Sequence, residues 1–335
     1  MKYDAIIIGA GPAGLFAAHT LKDKKIAIIE QGMTAAERVK AGSSYKNGFS
    51  NGMCGVGGAG LFSDGKLVFT HKHGKTDLTQ FLPEHSAKQL IIEVEQIFGQ
   101  YGMDGEIFPK DKQKAAYYYK TALQHGLHLM LLKYKHMGSD ELPRMIGNMQ
   151  KSLEKEGVEF QTQTKAEEFI IENRQIVGLR TDQGDFECEN LIVAPGRAGS
   201  KWLYNEAQKL NLGVEFGPVE VGVRVEVPSE IMEEITDTLY DPTFFLNSKA
   251  HDDVVRTFCT NPNGFVIQEN YEDFICVNGH ASKSNKSDNT NFALLSRVSL
   301  TKPLTDTHSY GVSIARLTTT LGGGKPILQR YGDLI

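Results

Sequence analysis

Three glycines near the amino terminus have the spacing of a phosphate-binding turn. They form the pattern Gly9-x-Gly11-x-x-Gly14, directly after a short apolar segment and at the start of a predicted helix. The first permits a tight turn, the second lets backbone amides approach a diphosphate, and the third lets the helix pack close to the strand. Pro12 suits the first helical turn, where free amides favour an anion. The residues expected to contact the diphosphate are Gly9, Ala10, Gly11, Pro12, Ala13 and Gly14.

An acidic residue follows the next apolar segment at the distance that a dinucleotide site requires. Residues 5–8 (AIII) and 26–29 (IAII) are typical of buried parallel strands, and Glu30 follows the glycines by about 20 residues. A carboxylate there accepts hydrogen bonds from ribose hydroxyls and repels a 2′-phosphate, so a bound nicotinamide nucleotide would be NAD rather than NADP. Strand, glycines, helix, strand and acid together predict an adenine dinucleotide site that includes Glu30 and Gln31.

Other polar side chains have both a chemical and a structural interpretation. Cys54 could be redox-active, but it has no nearby partner cysteine, which disfavours a disulfide relay. Asp64 and Lys66 either shape the electrostatics of a cofactor, bind an anionic substrate, or form a turn with an exposed lysine. His280 is either a proton donor or a hydrogen-bonded histidine at a strand end. The sequence offers no support for hydrolysis or a metal site, since it has no Ser-His-Asp order, HExxH motif or metal-ligand cysteine spacing.

The bulk composition excludes several classes of protein. The chain has 335 residues, 36 Lys plus Arg against 41 Asp plus Glu, and a net charge of -5. It has no basic cluster interleaved with aromatic residues, so nucleic acid is not an expected partner. No segment is long enough to span a membrane, and glycines interrupt the apolar amino terminus, unlike a signal peptide. The cysteines stand far apart without a CxxC pair, which indicates a reducing compartment, so we expect a cytoplasmic protein.

Residues 48–67 combine glycines with apolar side chains. Flexible linkers lack apolar anchors, so this segment, GFSNGMCGVGGAGLFSDGKL, is predicted to be a folded loop whose backbone makes a close approach. Residues 57–67, after the amino-terminal GAGPAG, resemble the uncharacterised FAD-dependent dehydrogenases, also described as NAD(FAD)-utilising dehydrogenases, of the glutathione-reductase-like flavoprotein superfamily. Later segments are similar to the same family: VRTFC (255–259), VNGHA (277–281), NTNF (289–292) and GGGKPI (322–327).

This resemblance implies that the dinucleotide is FAD. It implies a second cofactor-side turn at Gly196, after the run LIVAP (191–195), and a backbone position for Ala166 near the adenine. It also implies that Arg38 approaches the pyrophosphate, although a solvated surface arginine is an equal alternative. Substrate residues would come from the loop 48–67 and from the carboxyl-terminal part of the chain, and none of them is assigned.

The elements that position these residues follow from the apolar pattern. Apolar stripes predict helices from Pro83 to about Phe98 and from about Asp140 to Glu156. The predicted strands of a β-meander are 158–161, 167–171, 176–181 and 186–193. Farther along, the predicted elements are alternating strands such as 221–227, a hairpin over 254–280, and a late helix from about Asp306 to Leu321.

The predicted fold class is α/β, with a Rossmann-like FAD-binding parallel sheet, a β-meander insertion, and a second, mostly β (α+β) substrate domain. The FAD-binding domain is assigned to 1–212, with its cofactor site in segments around 1–70 and 157–200. The substrate or cap domain is assigned to 213–335.

The carboxyl terminus departs from the superfamily pattern. Members of the superfamily return to the cofactor site with a strand that ends in Gly-Asp. Gly332-Asp333 is present, but residues 327–331 (ILQRY) are a poor buried strand. The resemblance therefore leads us to expect a C-terminally truncated chain, whose missing segment is restored by further sequence or by a partner chain.

The expected activity is that of an FAD-dependent oxidoreductase, which transfers a hydride between an unknown small-molecule substrate and flavin N5. NAD(P)H is one candidate reductant, but a second glycine fingerprint for a separate nicotinamide domain is absent from the sequence. One alternative is a non-catalytic or partner-dependent FAD-binding fragment. A further alternative is a flavin-dependent reductase of an unsaturated lipid.

Overall fold

The computed structural model describes residues 2–42, 45–46, 49–73, 76–248, 253–271 and 273–334. Gly48 of the glycine-rich segment and residue 272 of the predicted 254–280 hairpin lie outside the described residues. The strands are β1 (Lys2–Ile8), β2 (Ile26–Ile29), β3 (Tyr45–Lys46), β4 (Phe49–Ser50), β5 (Lys66–Val68), β6 (Lys72–His73), β7 (Thr76–Asp77), β8 (Glu106–Phe108), β9 (His128–Met130), β10 (Tyr134–His136), β11 (Glu159–Gln161), β12 (Ala166–Glu172), β13 (Gln175–Thr181), β14 (Gly184–Val193), β15 (Val219–Pro228), β16 (Thr243–Ser248), β17 (Asp253–Asn261), β18 (Phe265–Asn270), β19 (Ile275–His280) and β20 (Asn289–Val298).

The α-helices are α1 (Pro12–Thr20), α2 (Ala35–Ala41), α3 (Glu84–Gln100), α4 (Lys112–Gln124), α5 (Leu142–Lys155), α6 (Ser200–Lys209), α7 (Ser229–Leu239) and α8 (Thr307–Leu321). Short 3-10 turns span Gly58–Phe62, Leu78–Gln80 and Tyr331–Leu334. None of the helices within the described ranges is long and apolar enough to cross a membrane.

The chain divides into two compact units, each made of two segments. The first unit comprises Met1–Ser63 and Glu141–Glu215, and the second comprises Asp64–Asp140 and Phe216–Ile335.

The first unit is built on a six-stranded sheet with the order β11-β2-β1-β14-β13-β12. β11, β2, β1 and β14 run parallel, whereas β13 and β12 continue the sheet as antiparallel neighbours. This arrangement confirms the prediction of a mixed α/β fold with a parallel sheet. All four strands predicted for the meander form, but only β12, β13 and β14 are consecutive antiparallel neighbours. The strand predicted at 158–161 forms as β11, which instead pairs in parallel with β2 at the opposite edge of the sheet. The buried core beside it contains Tyr3, Ile6, Ile8, Ala27, Ile29, Leu179 and Cys188.

The second unit contains a five-stranded antiparallel sheet with the order β15-β20-β17-β16-β9 and a three-stranded sheet with the order β5-β10-β8. Within the predicted hairpin over 254–280, β18 and β19 pair with each other, while β17 lies between β20 and β16. The late helix forms as α8, where the Asp306 side chain accepts a hydrogen bond from the Ser309 amide.

Residues 64–140 pack in the second unit, although the sequence placed them in the continuous domain 1–212. The reason is long-range pairing, since β9 forms antiparallel pairs with β16. Side chains of α4, β9 and α7 also share one buried core, which contains Ala115, Tyr118, Ala122, Leu129 and Leu239. The functional assignment of the two parts, cofactor against substrate, stays a prediction.

Candidate functional site

The glycine turn lies between the end of β1 and the start of α1. Gly9 has φ +95°, a left-handed backbone that favours glycine, and a Cβ there would overlap the Ala194 carbonyl oxygen. A Cβ on Gly14 would overlap the Gly9 carbonyl oxygen. The helix therefore packs against the strand as closely as the sequence pattern predicts, and the turn after β14 lies beside Gly9.

The amino terminus of α1 is open to an anion. Gly11 is the N-cap residue, no side chain caps the first amides, and Pro12 occupies the first turn. Within the described residues, the nearest neighbour of a Cβ built on Gly11 would be the Gly58 Cα at 3.9 Å. Because glycine has no side chain, space stays free at Gly11 beside the first amides of α1, which include the amide of Ala13. These residues fit a diphosphate group.

The glycine-rich segment makes its close approach to this same turn. The Gly57 amide donates to the Ala10 carbonyl at 2.8 Å. Gly58 has φ +55°, and a Cβ on it would lie 3.0 Å from the Gly11 Cα. A Cβ on Gly60 would lie 3.3 Å from Pro12. The prediction of a folded loop is therefore confirmed for the described part of the segment, and its partner in the first unit is the glycine turn.

Glu30 organises the backbone of both loops. It is buried, and Oε2 accepts from the Ala10 amide at 2.8 Å, while Oε1 accepts from the amides of Gly32 and Gly55, both at 2.9 Å. A carboxylate offers about four acceptor positions, so these bonds leave capacity for one more donor such as a ribose hydroxyl. The neighbouring Gln31 is half-buried, and its Nε2 donates to the Cys54 Sγ at 3.1 Å.

Arg38 is fully buried, so the alternative of a solvated surface arginine is wrong. Its guanidinium donates to the carbonyl oxygens of Asn51, at 2.6 Å, and Val56, at 2.7 Å. Burial lowers the pKa of Arg38 to about 10, opposed by the charge of Glu30. Arg38 therefore fixes the shape of the glycine-rich loop.

Cys54 is buried among these groups. Burial raises the pKa of its thiol to about 11, and the Glu30 carboxylate acts in the same direction. Because a thiol with a raised pKa is a poor nucleophile at neutral pH, the structural interpretation of Cys54 is favoured.

Two predicted cofactor residues remain, Ala166 at the start of β12 and Gly196 in the turn after β14. Ala166 begins β12 and packs on the core of the first unit. Sequence reasoning missed its neighbours: the amides of Thr164 and Gln163 donate to the carbonyls of Glu30 and Gly32, respectively. Gly196 has φ +62°, and within the described residues a Cβ there would meet no atom within 4 Å.

In the second unit, Lys66 is a buried cation between two carboxylates. Its Nζ lies 2.8 Å from Asp64 Oδ2 and 2.7 Å from Asp241 Oδ2, and it donates to the Thr260 carbonyl at 3.0 Å. Burial alone would lower the pKa of Lys66, but the two carboxylates raise it well above its ordinary value. We name Asp64, Lys66 and Asp241 the lysine cluster. The alternative of a turn with an exposed lysine is wrong, because the Lys66 side chain is only 6% exposed.

A histidine and a tyrosine lie against the lysine cluster. Tyr240 Oη lies 2.7 Å from His136 Nε2, and the two ring centroids are 4.1 Å apart with the ring planes tilted by 31°. Burial, reinforced by the charge of Lys66, lowers the pKa of His136 to about 4, so its ring is neutral at pH 7. Burial raises the pKa of Tyr240, so its hydroxyl stays protonated. At pH 7 the pair therefore adds no charge to the lysine cluster.

Backbone strain accompanies the same cluster. Tyr240 has φ +57° and Cys259 has φ +52°, a region that non-glycine residues adopt at a cost of about 1–2 kcal/mol. The Cys259 thiol donates to Asp64 Oδ2 at 3.0 Å. Tyr240 thus places its hydroxyl against His136, and Cys259 places its thiol against Asp64. Strained residues in such a buried polar cluster are typical of functional sites. His280 ends β19, and burial lowers its pKa, opposed by the charges of Asp64 and Asp140.

Comparison with known proteins places the chain in a family. The family model described as FAD binding domain matches residues 4–214. The chain belongs to this FAD-binding family. The membership supports FAD as the dinucleotide, as the sequence resemblance implied.

Individual relatives are more distant. The chain is similar to an uncharacterized protein of Clostridium beijerinckii, with 26% identity over 360 residues, covering 100% of this chain and 60% of the relative. The chain therefore spans about 60% of the length of the curated relative that it matches.

Two solved structures that are similar to this chain are those of glycine oxidases. That of Bacillus cereus is 14% identical with a TM-score of 0.43, covering 94% of this chain and 77% of that one. That of Geobacillus kaustophilus is 13% identical with a TM-score of 0.43, covering 98% and 81%.

Proposed function

We propose that the chain binds FAD at the glycine turn and acts as an FAD-dependent oxidoreductase on a small-molecule substrate. The observation that carries this proposal is the FAD-binding family match over residues 4–214, joined to a helix terminus whose first amides have no side-chain cap. When bound, FAD supplies the redox chemistry by exchanging a hydride at N5.

The chain's own residues would hold and orient this cofactor. The first free amides of α1, from Ala13 onward, would face the diphosphate, and Gly9 and Gly14 keep strand and helix close enough to form the turn. Glu30 keeps one acceptor position for the ribose. Arg38 acts as a positioning residue, since its donors are engaged by the carbonyls of the glycine-rich loop. Ala166 is proposed near the adenine, and Gly196 near the dinucleotide.

Finer features of this proposal rest on sequence. The segments VRTFC, VNGHA, NTNF and GGGKPI support membership among the NAD(FAD)-utilising dehydrogenases, and NAD(P)H is the candidate reductant. A cytoplasmic location is proposed from the four cysteines, none of which is in a disulfide.

Anaerobic reduction tests the proposed activity. The protein reconstituted with FAD is titrated with NADH, and dithionite is added to a parallel sample to show that the bound flavin is reducible. We expect NADH to bleach the flavin absorbance to the level that dithionite reaches. Bleaching by dithionite alone would contradict NADH as the reductant, and a protein that takes up no FAD would contradict the proposed function.

A further inference from the structure

An exposed arginine of the first unit follows the turn after β14. Arg197 lies in the segment APGRAG (194–199). This segment is held beside the glycine turn, because the Ala194 amide donates to the Ile8 carbonyl at 2.9 Å and the Ala194 carbonyl oxygen fills the space that a Cβ on Gly9 would take. Arg197 is therefore attached to a part of the chain that adjoins the phosphate-binding glycines.

The guanidinium of Arg197 has a weak partner. Its Nη2 donates to the Met53 Sδ at 3.7 Å, and a thioether sulfur is an uncharged, weak acceptor. Arg197 forms no ion pair with any residue that the structure describes, unlike arginines 144, 180, 256 and 316. The guanidinium therefore keeps an unbalanced charge and unused N–H donors.

The contact with Met53 joins two segments that both adjoin the glycine turn. Met53 belongs to the glycine-rich segment, in which the Gly57 amide donates to the Ala10 carbonyl at 2.8 Å. The turn after β14 lies beside the same glycines through Ala194. The Arg197 side chain thus spans from one neighbour of the glycine turn to the other.

The acidic side chain at the glycine turn is already engaged. Glu30 accepts from three backbone amides, and its charge interacts with that of the buried Arg38. The first turn of α1, which lies wholly within the described residues, contains no acidic residue. The uncapped amides of α1 and the Arg197 guanidinium therefore both offer positive charge to an anion from outside the chain.

We propose that Arg197 is a cofactor-binding residue that donates to the diphosphate of FAD and exchanges the Met53 sulfur for phosphate oxygens. A planar guanidinium donates two parallel hydrogen bonds to a phosphate group, and these charge-assisted bonds are stronger than a bond to a thioether. The helix amides supply the other donors to the same group. The inference rests on the proposed function, because it names the side chain that binds the charge of the proposed cofactor.

Equilibrium titrations of the full chain with FAD and with ADP test this assignment. ADP carries the adenosine diphosphate part of FAD without the flavin. Arg197→Gln should weaken the binding of both ligands by at least about tenfold, since it removes charge-assisted hydrogen bonds. Unchanged affinity for FAD in Arg197→Gln would overturn the proposal, and a loss confined to FAD would overturn the assignment to the diphosphate.

The matched control is Arg174→Gln. Arg174 is an exposed arginine of the same unit, in the turn between β12 and β13, at the opposite end of β12 from Ala166. This variant loses the same charge and should bind FAD and ADP like the parent protein. An equal loss of affinity in Arg174→Gln would mean that net charge controls binding, and it would overturn the role of Arg197.

Salt dependence separates a charge contact from a structural effect. The affinity for FAD is measured at about 0.05 M and about 0.5 M NaCl, because salt screens an exposed charge pair. The parent should lose more affinity on addition of salt than Arg197→Gln does. Arg197→Lys should keep the salt dependence of the parent but bind FAD more weakly, because lysine keeps the charge and loses the planar fork. Equal salt dependence in the parent and Arg197→Gln would contradict the charge contact.

Met53→Leu tests the exchange at the sulfur. The substitution nearly conserves the side-chain volume and removes the acceptor, so the variant should bind FAD at least as tightly as the parent. A loss of about tenfold or more would show that the contact with the sulfur is itself required, and it would overturn the exchange. A parent protein that binds neither FAD nor ADP would contradict the proposed function together with this inference, whereas equal binding by the parent and Arg197→Gln would contradict the inference alone.

Discussion

Lys66 shows how strongly the stability of the second unit depends on one buried charge. Its ammonium is held between Asp64 and Asp241, and the side chain is 6% exposed. Removing one partner from a buried ion pair leaves the remaining charges desolvated and uncompensated. The lysine cluster is therefore first a structural requirement, and its cation is not available to bind an anionic substrate.

Lys66→Met should destabilise the protein by about 3–5 kcal/mol, because it leaves two buried carboxylates without their cation. The free energy of unfolding in urea measures the effect. Lys133→Met is the control, since Lys133 forms an exposed ion pair with Glu95 and should cost at most about 1 kcal/mol. Equal losses in the two variants would contradict the structural role of Lys66.

His136 should make stability depend on pH. Burial lowers its pKa from 6.5 to about 4 in the folded protein, so the unfolded chain takes up the proton first as the solution is acidified. Its contribution to stability is complete above pH 6.5 and is lost as the pH falls toward about 4. Urea unfolding of His136→Asn across this range should show a shallower loss than the parent. His125→Asn, at an exposed position, should keep the parent slope, and identical slopes in all three would refute the assignment.

At the level of residues, the sequence predicted the glycine turn and missed the lysine cluster for physical reasons. Gly9, Gly11 and Gly14 act through constraints on the local backbone, so their short spacing can be recognised in the sequence. Lys66 and Asp241 meet only through the tertiary fold, so their spacing in the sequence carries no signal. The SDGK segment was a partial signal, since it marked Asp64 and Lys66 without their partner.

Among the elements, helix α1 depends on close contact with β1. A Cβ on Gly14 would overlap the Gly9 carbonyl oxygen, which lies in the backbone and cannot rotate away. The relevant comparison is Gly147 of α5, where a Cβ would meet no described atom within 4 Å.

Gly14→Ala should destabilise the protein by about 1–3 kcal/mol through overpacking, and it should also weaken FAD retention. Gly147→Ala should instead stabilise it by about 0.5–1 kcal/mol, because alanine has the better helix propensity. Urea unfolding and flavin content after gel filtration measure both effects. A destabilisation of similar size in the two variants would contradict the role of the close contact between α1 and the turn after β1.

Elements with strong apolar periodicity were predictable, while others were not. The helix predicted from about Asp140 to Glu156 forms as α5, and the strand over 26–29 forms as β2. Helices α4 and α7 were missed, although Asp111 caps α4 by accepting from the amides of Gln113 and Lys114. The Asp111 cap can be recognised in the sequence. The buried face of α4 is identified only from its packing against α7 in the structure.

Over the whole molecule, the cysteines should differ sharply in reactivity. Cys54, Cys188 and Cys259 are buried, and burial raises the pKa of each thiol, whereas Cys276 is only half-buried. Titration with a thiol reagent at pH 8 should therefore modify Cys276 first. All four cysteines should react in denaturant. Rapid modification of Cys54 in the native protein would contradict its burial and revive a chemical role for it.

The central claim concerns the whole chain: it binds FAD, and the glycine turn provides the contact. The most direct test is an equilibrium titration with FAD, followed by flavin fluorescence, of the parent protein and Gly11→Ala. Gly11 has an ordinary φ of -71°, and a Cβ there would make only an ordinary contact at 3.9 Å, so the variant should fold. We predict saturable binding by the parent, and at least about tenfold weaker binding by Gly11→Ala because the new methyl fills the space for the diphosphate. No binding by the parent, or equal binding by the two proteins, would contradict the account.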